Sequence, residues 1–250
     1  MILTVIAESP TAQSLLELFF KPLIANWPGL TFMLALLIFF KILRLPGVKG
    51  MIGEWLVNRA LKKLDPTSYL TFHDLYLPRP DGQGSTQLDH VVVSRFGIFV
   101  IETKNYRGWI FGSEKQPQWT QQIYRQKNRF QNPLHQNDLH VRALSARLSL
   151  PRDAFLPLVF FIGDAQFKTP MPSHVLNKGL TTWILQHQEI RLNSIALENA
   201  RATLEEIHRS TDRKAAARAH VTAIQNRTSA HSKSPRRRRN QPPPIPTSNP

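Results

Sequence analysis

Two carboxylates and a lysine stand where two predicted strands come together. Asp89 lies at the start of the run Leu88–Ser94, and Glu102 and Lys104 end the run that begins at Ile98. Alternate residues of a strand share a face, so Glu102 and Lys104 point one way and Thr103 the other. A tight reversal at Phe96-Gly97 that sets Arg95 against Ile98 puts Asp89 opposite Lys104 and diagonal to Glu102. A shift of two sets Asp89 directly against Glu102, and either register gathers all three. Carboxylates a few ångströms apart repel, so one takes up a proton unless a divalent cation lies between them; an all-oxygen pair suits Mg2+ or Mn2+. An adjacent ammonium can orient a water and offset charge on a phosphorane-like transition state, which is what phosphodiester hydrolysis needs. A solvated cross-strand ion pair is the alternative reading of an Asp and a Glu-x-Lys at strand ends. Against it, four apolar residues, Ile98 to Ile101, run directly into Glu102, so the charges emerge from a buried strand.

Other polar residues join this group by spacing. Gln121, Gln136 and His140 are placed to reach phosphate or a metal shell; Gln136 and His140 share a helical face, which a solvated polar face explains equally well. His90 points away from Asp89 and reads as structural. Trp109 and Trp119 either stack on bases or plug the domain's edge. Gly82-Gln83-Gly84 joins two strands and precedes no helix, so it is a turn rather than a phosphate loop. The chain has no cysteine, which excludes disulfides, thiolate metal sites and a cysteine nucleophile. No Gly-x-Ser-x-Gly, His-Glu-x-x-His or Walker sequence is present.

These residues need a scaffold. Ile52, Trp55, Leu56, Ala60 and Leu64 fall at helical spacing with Pro66 beyond, which predicts an amphipathic helix over 51–64 with Glu54 in its first turn. Tyr69–Leu77, Leu88–Ser94 and Ile98–Lys104 are rich in Val, Ile, Phe and Tyr and are separated by turn residues, as in a three-stranded meander. Gly108–Trp119 reads as a short hairpin or loop. Asn132-Pro133 is an N-cap and first-turn pair for a helix carrying Leu134, Val141, Leu144 and Leu148. Leu156–Gly163 is a near-continuous apolar run, as in a strand covered on both faces, and it makes the sheet mixed. Val175 and Leu180–Leu185 supply further elements, and Asn193–His208 is a helix.

Outside this domain the composition changes. The 250 residues carry a formal net charge of +15, so an anionic partner must be considered. No acidic residue follows Asp212, whereas Arg236 to Arg239 form a basic block. Residues 227–250, with Pro242-Pro243-Pro244, read as a disordered basic tail whose partner is anionic lipid or nucleic acid. Near the other end, residues 23–43 are apolar with no charge between Lys21 and Lys41, which predicts a transmembrane helix preceded by a short external segment, 1–22. An interfacial helix is the alternative, because Asn26, Pro28 and Gly29 weaken the first turn. Lys41, Arg44 and Lys49 follow the span, so the positive-inside rule places the rest in the cytoplasm, beneath the inner membrane of a bacterial cell.

Several blocks carry a family resemblance: Gly53-Glu54, Gln87 to Ser94, Gly97 to Tyr106, Gly108-Trp109, Trp119-Thr120-Gln121, Asn132 to Asn137 and Phe167 to Pro172. In order and spacing, over residues 50–175, they resemble the signature blocks of the NERD (nuclease-related domain) family. The resemblance implies a PD-(D/E)xK restriction-endonuclease-like fold, an α/β mixed sheet flanked by helices; residues 176–226, beyond the blocks, read as a C-terminal helical extension. It further implies a nuclease in which Asp89 and Glu102 bind Mg2+ or Mn2+, Lys104 positions the attacking water and Glu54 contributes from the first helix. Separately from the resemblance, Gln121 and Gln136 are expected at the substrate, a nucleic acid, with DNA expected over RNA. Leu88 stands where the motif's name has proline, a departure that leaves the metal geometry untouched. A non-catalytic nucleic-acid or membrane adaptor that has kept the nuclease fold is the rival expectation.

Overall fold

The computed structural model describes residues 27–43 and 46–210, and the chain divides into two units, Met1–Ile52 and Gly53–Pro250. The expected external segment 1–22, residues 211–226 of the helical extension and the tail 227–250 lie outside the described residues.

In the first unit, α1 (Trp27–Leu43) is an apolar helix. Pro28 falls in its first turn, where a missing N–H breaks no helical bond, and the Thr31 hydroxyl donates back to the carbonyls of Trp27 (3.0 Å) and Pro28 (2.9 Å). Its large side chains, among them Phe32, Leu34, Leu37 and Phe40, are exposed. The expectation of a transmembrane helix over 23–43 is not supported. Residues 23–26 lie outside the described residues, and the 17 residues of α1 extend for about 26 Å, short of a hydrocarbon core of about 30 Å. Among the described residues no helix is long and apolar enough to cross a membrane. The Pro28-Gly29 pair and Lys41 bound the apolar stretch at its two ends.

The second unit is built on a mixed five-stranded sheet in the order β1-β2-β3-β7-β9. Its strands are β1 (Leu70–Pro78), β2 (Ser85–Ser94), β3 (Gly97–Asn105), β7 (Phe155–Ile162) and β9 (Val175–Leu176). The first three form the expected antiparallel meander, and β7 joins β3 in parallel. Between β3 and β7 the chain makes most of a second sheet, ordered β6-β5-β4-β8, from β4 (Gly108–Phe111), β5 (Gln118–Ile123), β6 (Gln126–Gln131) and β8 (Ala165–Phe167). The hairpin or loop expected at Gly108–Trp119 is therefore part of a sheet. Chain passes from β3 to β4 and from β7 to β8 through Gly108 (φ +79) and Gly163 (φ +86), a left-handed conformation that disfavours any side chain. A Cβ on Gly108 would lie 2.5 Å from the Gln122 carbonyl oxygen.

Helices cover both faces of the first sheet. On one face, α3 (Pro133–Leu148) and α5 (Ser194–Ser210) bury Val141, Leu144 and Leu204 against Val91, Val93, Ile98 and Val100. On the other, the part of α2 (Pro46–Leu61) from Gly53 onward and α4 (Leu180–Gln186) bury Val57, Leu61 and Ile184 against Val92, Phe99 and Ile101. The strict alternation Val91/Val92/Val93 and Ile98/Phe99/Val100/Ile101 thus splits one apolar run into two cores, as a strand covered on both sides requires. Alternation fails at one place. Leu75, Leu77 and Leu88 share a core with Phe72 and Val91, so the face resets across Asp74 in β1 and across Asp89-His90 in β2. Asp74 has φ +54, a left-handed conformation that Asp accepts more readily than most residues. The reset falls where the acidic residues are.

Candidate functional site

The helix over the site is fixed by one side chain. Asn132 is the N-cap of α3: its Oδ1 accepts from the Leu134 amide (2.9 Å), and Pro133 follows in the first turn. Its Nδ2 donates to the carbonyls of Gln116 (2.7 Å), Glu114 (3.0 Å) and Ser113 (3.2 Å), tying the loop before β5 to the helix start. One helical turn on, Asn137 donates to the carbonyls of Val100 (3.0 Å) and Leu158 (3.1 Å), which anchors α3 over the parallel pair β3 and β7. Gln136 and His140, one turn apart, are held over the end of β3.

The hairpin register settles how the acids meet. Ser94 pairs with Gly97 and His90 with Ile101, so continuing the ladder by one residue sets Asp89 against Glu102, the second of the two registers considered. There the backbone ladder gives way: Asp89 Oδ2 accepts the Thr103 amide (2.8 Å). Glu102 is 1% exposed, and both its oxygens are engaged. Lys104 Nζ donates to Oε1 (2.5 Å), and His140 Nε2 lies 3.0 Å from Oε2. Lys104 also donates to Gln136 Oε1 (2.9 Å), and His140 Nδ1 lies 2.9 Å from the Thr86 hydroxyl. A hydrogen-bonded chain therefore runs Gln136, Lys104, Glu102, His140, Thr86, from the half-buried end of β3 into the core.

Glu54 arrives from α2, where Gly53 permits close approach: a Cβ there would meet Asn105 Cβ at 3.0 Å. Burial, followed by the charges of Asp74 and Glu102, pushes the Glu54 carboxyl above its ordinary value. Asp89 is pushed well above the usual carboxylate range, first by burial and next by Glu102, with the Thr103 amide and Lys104 opposing. Glu102 behaves oppositely. Burial raises it, but Lys104 and His140 outweigh burial and hold it below the usual value. Burial also works against the Lys104 charge, and Glu102 and Asp89 overcome it, so the ammonium is retained. The result is an acid that prefers its proton beside one that has lost it, the expected outcome when two carboxylates share a site.

The structure thus brings Glu54, Asp89, Glu102, Lys104 and Gln136 together. Gln121 stands apart from them: it lies in β5, and its amide donates to the Arg107 carbonyl (2.9 Å). Trp119 is fully buried among Ile110, Val159 and Phe161, with its indole N–H on the Ser113 carbonyl (2.9 Å). It plugs the domain, whereas Trp109 is exposed. Asp74 escaped the sequence reading. It lies between the pairs His73–His90 and Leu75–Leu88, beside Asp89 across the ladder, and accepts from Gln87 Nε2 (3.0 Å). Counting the β1–β2 register would have found it, but its left-handed backbone hides the period on which such counting depends.

As a metal site, the donor set is all oxygen, and Asp89 and Glu102 repel in its absence, which suits a hard divalent cation. Among the described residues, however, no three His, Asp or Glu side chains converge as a ready-made cage. Mg2+ takes one or two carboxylates and fills its remaining positions with water and phosphate oxygens, so the pair fits it without a cage.

Residues 49–162 match the NERD family, the nuclease-related domain. The match covers α2 to β7 and bears out the resemblance over that segment. An uncharacterized protein of Bacillus anthracis is 52% identical over 99 residues, 40% of this chain and 46% of that protein. The chain spans about half the length of this curated relative. No solved structure matches the chain.

Proposed function

We propose, from the premise of a nuclease-related domain at residues 49–162, that the chain is a metal-dependent nuclease hydrolysing phosphodiester bonds in DNA. The observation that carries this reading is Glu102, buried and ionised between Lys104 and His140 with Asp89 beside it. A binding surface for phosphate has no use for paired carboxylates that repel it, whereas a site that holds Mg2+ or Mn2+ does. Asp89 and Glu102 would hold the ion, which supplies Lewis-acid activation of water and phosphate. Glu54 stands at the rim of the pair and adds to its negative field.

Lys104 is the residue aimed at the chemistry. Its ammonium is held from two sides, by Glu102 and by Gln136, so it keeps its charge and position without reorganising as the reaction proceeds. It orients the attacking water and offsets charge that grows on the non-bridging oxygens. Gln136 fixes that ammonium through its Oε1, which leaves its amide N–H2 as a donor for substrate. The domain works on the cytoplasmic side of the inner membrane, to which the apolar segment 23–43 attaches it. In support, α1 exposes its large apolar side chains, and Lys41, Arg44 and Lys49 follow it. The basic tail 227–250 adds an electrostatic tether to anionic lipid or nucleic acid.

Cleavage of plasmid and linear DNA by the purified chain, with Mg2+ or Mn2+ and with EDTA, tests the reading. Activity should require the metal, vanish in Asp89→Asn and Glu102→Gln, and fall by about a thousandfold in Lys104→Ala with metal binding largely kept. Full turnover in either carboxamide variant refutes the site. No metal-stimulated cleavage of any DNA or RNA would leave a binding module that has kept the fold.

A further inference from the structure

The second sheet has an outward face with a composition of its own. Its registers place Lys127, Gln122, Trp109 and Gln166 in one row across all four strands, and Arg129, Thr120 and Phe111 in the next. The opposite face buries Trp119 and Ile110, so the outward side chains are there by alternation and not by disorder of the edge. Trp109 is 45% exposed, and Lys168 Nζ lies 4.8 Å from its ring centroid. Tyr124, at the β5–β6 turn with φ +52, is 93% exposed. Neither row contains an acidic residue. Arg107, Arg125, Lys127, Arg129 and Lys168 make no ion pair with any described residue, although Asp81, Asp138 and Glu189 elsewhere on the surface are paired. A groove of about 450 Å³ runs beside Trp109, lined by Arg107, Gln122, Tyr124, Asp164 and Gln166. It starts at Arg107, which follows Lys104 after only two residues.

We infer that this outward face is a track for a single strand of nucleic acid, with bases stacked on Trp109 and Tyr124 and phosphates on Arg107, Lys127, Arg129 and Lys168. Exposed rings beside unpaired cations match unstacked bases on a flexible polyanion. In a duplex the base faces are already occupied. The Gln side chains interleaved between the cations offer amide hydrogen bonds to bases of any sequence, so the track tolerates sequence. Because the track begins where β3 leaves the site, a strand lying on it is led to Lys104. The inference rests on the nuclease reading for its purpose, but the binding stands or falls separately.

The test is binding of a fluorescein-labelled oligothymidylate roughly 15 nucleotides long, comparable to known single-strand site sizes. It uses the full chain in EDTA, so that cleavage plays no part, and follows anisotropy over a range of salt. Trp109→Ala should weaken binding about tenfold, and Trp109→Phe should restore most of it. Lys127→Gln with Arg129→Gln should weaken binding and reduce the slope of log K against log salt by about 1.4, at about 0.7 per phosphate contact. Both positions are exposed strand residues, so this pair tests the track even if Trp109→Ala fails to fold. Unchanged affinity and slope in the pair overturn the inference, as does a duplex of equal length that binds as tightly as the single strand. Loss of binding in these variants without cleavage by the parent chain would uphold the track and remove the nuclease; cleavage with unaltered binding would do the reverse.

Discussion

His140 and His90 are both buried histidines, yet their surroundings assign them different work. Both ring nitrogens of His140 have partners, Glu102 on one side and Thr86 on the other, so the ring orients a carboxylate in the way that residues behind a metal ligand do. His140→Ala should lower Mg2+ affinity or turnover by about 10- to 100-fold, and His140→Gln, which can still donate to Glu102, should recover part of it. A titration of activity against Mg2+ that is identical in wild type and His140→Ala would show that the ring only fills space. Among the described residues His90 has no hydrogen-bond partner at either nitrogen. Burial, and after it the neighbouring His73, lowers its pKa from 6.5 to about 4, with Glu102 opposing. The folded chain thus refuses a proton that the unfolded chain accepts below pH 6.5. Stability from this group is complete above that pH and is lost as pH falls toward 4, by about 3 kcal/mol over the window at 1.36 kcal/mol per unit. Urea melts of His90→Leu at intervals from pH 7 to about 4 should show a flatter acid limb than wild type; parallel limbs would mean that another group governs it.

At the scale of elements, α3 carries two members of the site, and Asn132 carries α3. Asn132→Ala removes the N-cap and leaves the carbonyls of Ser113, Glu114 and Gln116 without that donor, which should cost about 2 kcal/mol. It should also slow cleavage at temperatures where the fold is intact, since Gln136 and His140 ride on the same helix. Thermal melts paired with rates at low temperature separate the two effects, and a variant that melts early but cuts normally would uncouple the cap from the site. The sequence announced this helix because Asn-Pro before an apolar 3.6-residue period has one local meaning. The meander and β7 were legible for a similar reason: long runs of Val, Ile and Phe leave few alternatives. Its register was not, since a slip of two residues at Phe96-Gly97 keeps every side chain on its own face and only packing against α2 and α3 selects between them. The second sheet was hidden because β5 and β6 are rich in Gln, Lys and Asn, and their strand identity comes from pairing rather than propensity. Gln121 illustrates the cost. Its place in the chain suggested the substrate, but its pairing opposite Ile110 in the second sheet gives its amide to Arg107.

At the scale of the whole molecule, α1 presents large apolar side chains to its surroundings. A helix that is apolar all round is stable when buried in protein or lipid, yet Phe32, Leu37 and Phe40 are 70%, 60% and 50% exposed. The helix alone is too short to span a bilayer without help, but Lys41 can extend its stem along the apolar surface while its ammonium reaches the headgroups, and a thinner bilayer reduces the mismatch further. Segment 23–43 has more length than α1 does, and in the proposed topology the basic residues after it would lie on the side where anionic lipid, Mg2+ and chromosomal DNA are found. Membrane attachment and access to substrate therefore require the same orientation, although one follows from Lys41, Arg44 and Lys49 and the other from the chemistry at Lys104. In a bacterial host, the chain should sediment with inner membranes and resist extraction by high salt and by alkaline carbonate. A C-terminal epitope tag should survive protease added to intact spheroplasts and be lost when they are lysed. Release by carbonate alone would make the segment an interfacial helix with the domain still beside its substrate. Digestion of the tag in intact spheroplasts would put Asp89 and Glu102 on the side without chromosomal DNA, and the proposed function would fail with the topology.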